Sequence, residues 1–360
     1  MRATGDVTPH RPSENPIVTP GMVQCSRPDF EVVGAFNPAA ARYDGQTVLL
    51  LRVAEAPRKE PGSVAAAAIF NADKGLVEIK RWLQNTERLD LSDPRLVVDD
   101  GRTWLTSISH LRVARSTDGI HFDVDEAPFL SAANVYESFG VEDPRITRLG
   151  NTYWINYTAV SHHGVATGLA STTDFRTYAR HGIIFSPPNR NVTIFPEKIA
   201  GKYAALHRPM PENPGQHSIW SASSSDLLAW GDHRIVAAPR AGSWDDSKVG
   251  GGAVPFRVQF GGEDGWLAIY HGVTANPFTY SLGALLLDRN DPSRVRARSR
   301  EPILKPEAPY EREGFLGGVV FTCGAIVDGD QVRVYYGAAD GVTAVADLSL
   351  QEILSGLVEE

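Results

Sequence analysis

Glu142-Asp143-Pro144-Arg145 sets two carboxylates, a rigid ring and a guanidinium at four consecutive positions. Pro144 fixes its own φ and keeps Asp143 out of the helical region, so the Asp143 side chain is expected to project from extended backbone. The apolar-aromatic run Tyr153-Trp154-Ile155-Asn156-Tyr157 follows closely. A carboxyl at the mouth of such a strand can act as a general acid, or it can be half of a structural ion pair with the nearby arginine. Further candidates stand at strand ends: Asn37, Arg52, Arg190, Glu197, Lys198, His207, Arg208, Lys248, His271 and Asp340. If Arg190, Arg208, Lys248 and His271 converge, they form a cationic pocket suited to a small dianion such as phosphate, which guanidinium forks bind bidentately. Taken singly, each reads as a surface salt bridge or a satisfied core polar group.

Three other patterns carry less. Asp93-Pro94-Arg95 repeats the focal tripeptide without the preceding glutamate and reads as structural. His162 and His163 are adjacent and cannot share one face of a strand, and no Cys or carboxylate cluster completes a zinc set, so no metal is expected. Gly250-Gly251-Gly252 lacks the Gly-Lys-Ser/Thr ending of a nucleotide loop. It reads as a close approach of backbone to sugar or phosphate beside Lys248.

The elements that would position these side chains recur. A turn followed by an apolar or β-branched run is marked by Gly45, Gly101, Gly150, Gly201, Gly265 and Gly329, spaced 49–64 residues apart. A second marker, Ser/Thr-Asp turns at Asp118, Asp174 and Asp226, keeps nearly the same beat. Repeats of this length built from short strands predict an all-β fold of the β-propeller kind, whose loops gather distant residues around one channel. The one helical candidate is 349–357. A flexible N-terminal extension (1–14) and a single catalytic propeller domain (15–360) are expected.

With 360 residues, a net charge of −8 and no basic run, nucleic acid is not an expected partner. No apolar stretch approaches a membrane span and residues 1–20 lack a signal-peptide core, so no membrane association is expected. With only Cys25 and Cys323 present, a cytoplasmic location is the expectation. A homo-oligomer is compatible with the sequence.

Several of these motifs, in this order, resemble glycoside hydrolase family 130, which comprises mannoside phosphorylases and related β-mannosidases. They are Gly-Val-Glu-Asp-Pro-Arg at 140–145, Phe195-Pro196-Glu197-Lys198, Leu206-His207-Arg208-Pro209, and Gly265 to Val273. Leu285-Leu286-Leu287-Asp288, Pro309-Tyr310-Glu311 and Tyr335 to Asp340 complete the set. The resemblance runs from about 15 to 340 and departs between 53 and 115, where an additional strand pair is expected. It implies a five-bladed propeller with the active site in the central channel; six blades, from the six turn–strand units, are the alternative count.

The resemblance further implies Asp143 as catalytic acid, and Arg190, Arg208, Lys248 and His271 as phosphate ligands. Asn37, Arg52 and Asp340 fall on its sugar contacts, with Glu197 and His207 as further substrate-binding candidates. It implies that the acid gives its proton to the 3-hydroxyl of the mannosyl ring, which passes one to the leaving oxygen. No cofactor is implied, only inorganic phosphate as co-substrate. Because phosphate is already an anionic nucleophile, such an enzyme can dispense with the base an inverting glycosidase needs to activate water. The expected activity is phosphorolysis of β-mannosides, β-1,4 or β-1,2 linked, with inversion to α-D-mannose 1-phosphate. One alternative is a β-mannosidase using water, with Glu142 or Glu197 as base; another is a non-catalytic sugar-binding propeller.

Overall fold

Apolar–polar alternation broken by turns builds strands through most of the computed structural model, which describes residues 7–84 and 86–359. Five larger antiparallel sheets follow one another along the chain. Sheet 1 contains Phe30–Tyr43, Gln46–Pro57, Ile108–Ser116 and Asp123–Val124. Sheet 2 contains Val141–Leu149, Thr152–Ser161, Gly164–Thr172 and Ala179–Phe185, and sheet 3 contains Asn189–Ile194, Tyr203–Pro209, Ile219–Ser224 and Gly231–Ala237. In sheet 4, Lys248–Gly251 and Phe256–Phe260 both pair with Glu263–Ala275; Phe278–Asp288, Val295–Ser299 and Leu357–Glu359 follow. Sheet 5 contains Val320–Asp328, Gln331–Ala338 and Val342–Ser349. The all-β class expected from the sequence is observed. The helical candidate near the C-terminus forms Leu350–Ser355, capped by the Ser349 hydroxyl, which accepts from the Glu352 amide.

The six turn–strand units do not each open a sheet. Asp44-Gly45 makes a two-residue turn with φ +48° and +73° between the first two strands of sheet 1, and Gly150 and Gly329 lie in the equivalent turns of sheets 2 and 5. Gly265 lies inside a strand, the turn before it being Gly261-Gly262. Asp100-Gly101 turns a hairpin that belongs to none of the five large sheets. It sits in an insertion between the second and third strands of sheet 1, made of Ala65–Asn71 with Leu76–Trp82, and of Leu89–Asp90, Leu96–Asp99 and Arg102–Leu105. The region expected to add one strand pair therefore adds two small sheets. The Ser/Thr-Asp marker holds at all three positions: Asp118, Asp174 and Asp226 each accept two backbone N–H groups, at 2.8–2.9 Å.

Strand alternation sends each sheet's apolar residues to two neighbours. Val48 and Leu50 pack with Val141 and Ile155 of sheet 2, whereas Leu49 and Leu51 pack with Tyr335 and Val345 of sheet 5. The same holds between sheets 2 and 3, 3 and 4, and 4 and 5.

Three sheets are pinned alike. A carboxylate preceding the first strand accepts from a tyrosine on the second and an arginine beyond the third. These are Glu137 with Tyr157 (2.8 Å) and Arg180 (2.6 Å), Asp245 with Tyr270 (2.7 Å) and Arg298 (2.5 Å), and Glu311 with Tyr336 (2.6 Å) and Arg11 (2.8 Å). In sheet 5 the arginine comes from the N-terminal segment, where His10 pairs with Asp347 through two backbone hydrogen bonds (2.8 and 2.9 Å). Within the opening expected to be flexible, His10 pairs with a sheet 5 strand, Arg11 with Glu311 and Thr8 with Glu352 of the C-terminal helix, while residues 1–6 lie outside the described residues. Cys25 and Cys323 are both free thiols. Among the described residues no helix is long and apolar enough to cross a membrane.

Candidate active site

The first strands of sheets 1, 2 and 3 bulge at corresponding places. Register slips between Phe36 and Ala39, between Glu142 and Arg145, and between Arg190 and Thr193. Within the slips Asn37, Asp143 and Asn191 adopt φ of +49°, +47° and +56°. Asn and Asp tolerate this left-handed region because their short polar side chains bond locally. Asp143 is thus presented from a left-handed bulge, not from the extended backbone expected before Pro144: the extra bulge residue must turn the chain, and that re-aims its side chain.

Sheets 1 and 2 meet at the Asp143 carboxyl. Its Oδ1 accepts from Asn37 Nδ2 at 2.9 Å and from Arg52 Nη1 at 3.2 Å. Arg52, stacked over Phe36, also donates through Nη2 to Glu142 Oε1 at 2.8 Å. Glu142 Oε2 lies 3.8 Å from Arg190 Nη2, so one carboxylate spans two guanidiniums. Burial pushes Asp143 up, but Arg52, the Asn37 hydrogen bond, Arg190 and Arg145 outweigh it and hold the carboxyl below the usual carboxylate range. Asp340 behaves oppositely. Burial, helped by the charges of Asp143 and Glu142, raises it to about 6 against the pull of Arg52.

The expected phosphate ligands gather beside this pair. Arg190 and Arg208 are direct cross-strand partners in sheet 3. Arg208 Nη1 donates to His271 Nε2 at 3.1 Å, which makes that nitrogen an acceptor and the imidazole neutral with its proton on Nδ1. Burial and the charges of Arg208, Arg145 and Lys248 hold His271 well below the ordinary histidine range. Lys248 sits 4.9 Å above the Tyr280 ring, which itself stacks on His271. Among the described residues Arg208 makes no ion pair with a carboxylate, and its Nε, buried, has no partner. Burial lowers Arg208 to about 10, which still leaves it a cation at neutral pH. Like charges opposed across a ladder are destabilising, and a buried unpaired charge costs more still. A bound anion removes both penalties.

A cleft of about 230 Å³ opens here, its lining including Arg52, Glu142, Arg190 and Asp340. A larger cavity of about 710 Å³, beside the C-terminal helix, holds none of the candidate residues; chemistry rather than size selects the site.

Two expected substrate contacts lie elsewhere. Glu197 follows the end of a sheet 3 strand, is exposed, and reaches Arg257 at 3.6 Å. His207 is buried on the face of its strand opposite Arg208: it accepts from Asn189 Nδ2 (2.9 Å), pairs with His233 (3.0 Å) and stacks on Phe185. Successive residues of a strand point to opposite faces, so the neighbours 207 and 208 cannot both face the cleft. Lys198 likewise turns outward over Tyr203.

Other residues take parts that the sequence did not assign to them. Arg145 is fully buried and donates to the carbonyls of Asp143 (3.0 Å), Gly251 (3.0 Å) and Gly252 (3.0 Å), tying the acid's backbone to sheet 4. The glycine run packs closely against its neighbours: a Cβ on Gly250 would lie 2.5 Å from the His271 ring, and one on Gly251 2.8 Å from the Asn191 carbonyl. Arg95, read as structural, lines the cleft. His162 packs against Trp104 and Phe139 while His163 meets Tyr136.

A family model described as beta-1,4-mannooligosaccharide phosphorylase matches residues 92–359. The chain belongs to glycoside hydrolase family 130. Within the family it is 47% identical to a Beta-1,2-mannobiose phosphorylase of Listeria innocua, over 98% of this chain and 99% of that one. It is 33% identical to a Beta-1,4-mannooligosaccharide phosphorylase of Ruminococcus albus, over 68% of this chain and 75% of the relative. The solved structure of the Listeria innocua enzyme with β-1,2-mannobiose superposes with a TM-score of 0.91, covering 96% of this chain and 98% of that one. As a family 130 protein the chain carries its bulged Asn and Asp positions as a readable signal: Asn37-Pro38 and Asp143-Pro144 repeat the same dipeptide chemistry one sheet apart.

Proposed function

We propose that this family 130 protein is an inverting phosphorylase of β-mannosides, with β-1,2-linked mannobiose or short oligomannosides as its substrate. The observation that carries the reading is the buried Arg208 guanidinium, opposed by Arg190 and lacking a carboxylate partner. The 47% identity to a Beta-1,2-mannobiose phosphorylase favours the 1,2 linkage.

In this reading Arg190, Arg208, Lys248 and His271 hold inorganic phosphate, and Asn37, Arg52 and Asp340 hold the mannosyl ring. A phosphate oxygen attacks C1 from one face while the C1–O bond to the leaving sugar breaks on the other, giving α-D-mannose 1-phosphate. The proton required by the leaving oxygen originates on Asp143 and travels through the 3-hydroxyl of the ring. Asp143 is held ionised by surrounding cations; a phosphate dianion offsets those cations, raises the carboxyl and prepares it as an acid. Fixed charges held in place around the site supply positioning and electrostatic complementarity. Hydrolysis is the weaker reading, because Glu142 is committed to Arg52 and Glu197 points away, which leaves neither expected base free.

We further infer that residues 15–360 form one catalytic domain whose five sheets close as a five-bladed propeller around the site. Five apolar cores support this, four between successive sheets and one between the last and the first. The free thiols fit work in a reducing cytoplasm.

Incubation with β-1,2-mannobiose, with and without phosphate, tests the function. Mannose 1-phosphate formed only in the presence of phosphate is expected; free mannose released equally in both overturns it.

A further inference from the structure

The insertion in sheet 1 brings a third guanidinium to the cleft, beside those of Arg52 and Arg190. Arg95, in the turn just before the Leu96–Asp99 strand, lines the same 230 Å³ space as Arg52, Glu142 and Asp340. Its own neighbour fixes it: Asp93 Oδ1 accepts from the Arg95 backbone N–H (2.9 Å) and Nε (3.0 Å), and Oδ2 accepts from Nη2 at 2.7 Å. A guanidinium held along one edge is pre-organised, and its remaining N–H donors stay available to a ligand. The side chain is 48% exposed, so those donors are open to the cleft. Asp340 senses the Arg95 charge, which lowers the carboxyl's affinity for its proton.

A different element supplies an apolar partner. Phe315, on the loop after Pro309–Arg312, is 47% exposed and lines the same cleft. An exposed phenyl ring in the same cleft as a fixed planar donor suits a pyranose: the C–H face of a sugar can cover the ring while its hydroxyls accept from the guanidinium. The mannosyl ring that loses its leaving group is assigned to Asn37, Arg52 and Asp340 near the proton source.

We propose that Arg95 and Phe315 form the binding site for the leaving sugar, which is the acceptor in the reverse reaction, and that the insertion therefore sets which sugar is accepted. This rests on the phosphorylase reading above. The fork of Arg95 requires hydroxyls placed to meet two parallel donors, so Arg95→Lys keeps the charge but loses the geometry.

The test is the reverse reaction, with α-D-mannose 1-phosphate as donor and mannose as acceptor. Arg95→Ala and, independently, Phe315→Ala are each expected to raise the acceptor KM about tenfold while the donor KM stays within about twofold. Arg95→Lys recovers only part of the loss. The two residues sit on separate exposed elements, so misfolding of one variant leaves the other to decide. Acceptor KM unchanged in both variants, or donor and acceptor KM rising together, overturns the leaving-sugar site alone. A wild-type protein without phosphate-dependent turnover overturns the phosphorylase reading, and this site with it.

Discussion

Arg190 and Arg208 face each other directly across two paired strands, and the more buried of them, Arg208, donates to a neutral His271 at 3.1 Å rather than to a carboxylate. Folding alone gives no reason to bury a cation in this way. Removing that charge should therefore relieve the fold while harming the reaction. Arg208→Met is expected to leave the melting temperature unchanged or raised, and to increase the phosphate KM by about a hundredfold or more. Thermal denaturation together with initial rates at varied phosphate checks it; a lowered melting temperature with an unchanged phosphate KM would mark Arg208 as structural.

Asp143→Asn keeps the shape of the side chain and its contacts with Asn37 and Arg52 in altered form, but it removes the transferable proton. Turnover on mannobiose should fall by about three orders of magnitude or more with phosphate affinity retained. Steady-state rates and phosphate titration by calorimetry check the pair of outcomes. Near-normal turnover would place the acid elsewhere.

The two carboxyls in the cleft act on stability with opposite sign. Asp340 is raised above its unfolded value to about 6, so its stabilising proton is fully present below the unfolded pKa and is lost as pH rises through about 6. Asp143 is lowered, so its contribution is present above the unfolded carboxylate pKa and is lost as pH falls through its folded value. Asp340→Asn should therefore raise the melting temperature at about pH 7.5 more than at about pH 4. Melting curves across that range check the sign; an equal shift at both ends would contradict it.

Arg11 supplies to sheet 5 the arginine that Arg180 and Arg298 supply to sheets 2 and 4. Arg11→Ala leaves the fully buried Glu311 with Tyr336 and the amides of residues 307 and 308 as partners. A loss of about 1–3 kcal/mol is expected, read by urea unfolding, with the phosphate KM of the folded fraction unchanged.

Much of this was legible from residue types. Turn chemistry is local, so Asp44-Gly45 and the three Ser/Thr-Asp turns announced themselves, and the cationic set stood out against an acidic chain. Asp100-Gly101 misled because a hairpin in an insertion carries the same turn signal as a hairpin in a large sheet. His207 misled because motif neighbours were read together, although strand alternation separates them. The repeat held the corrective: the place of His207 on its strand is that of Tyr157, Tyr270 and Tyr336, the inward tyrosines of the three pins. The parts taken by Arg145 and Arg95 were not legible, since one acts through carbonyls of a distant sheet and the other through an insertion whose path no local pattern encodes.

The most direct measurement is a structure of the protein determined at saturating inorganic phosphate. The account predicts one phosphate bound between Arg190 and Arg208, within reach of Lys248 and His271, on the side of the sugar site away from the proton route of Asp143. Phosphate bound elsewhere, or this cluster unchanged and empty at saturation, would contradict it.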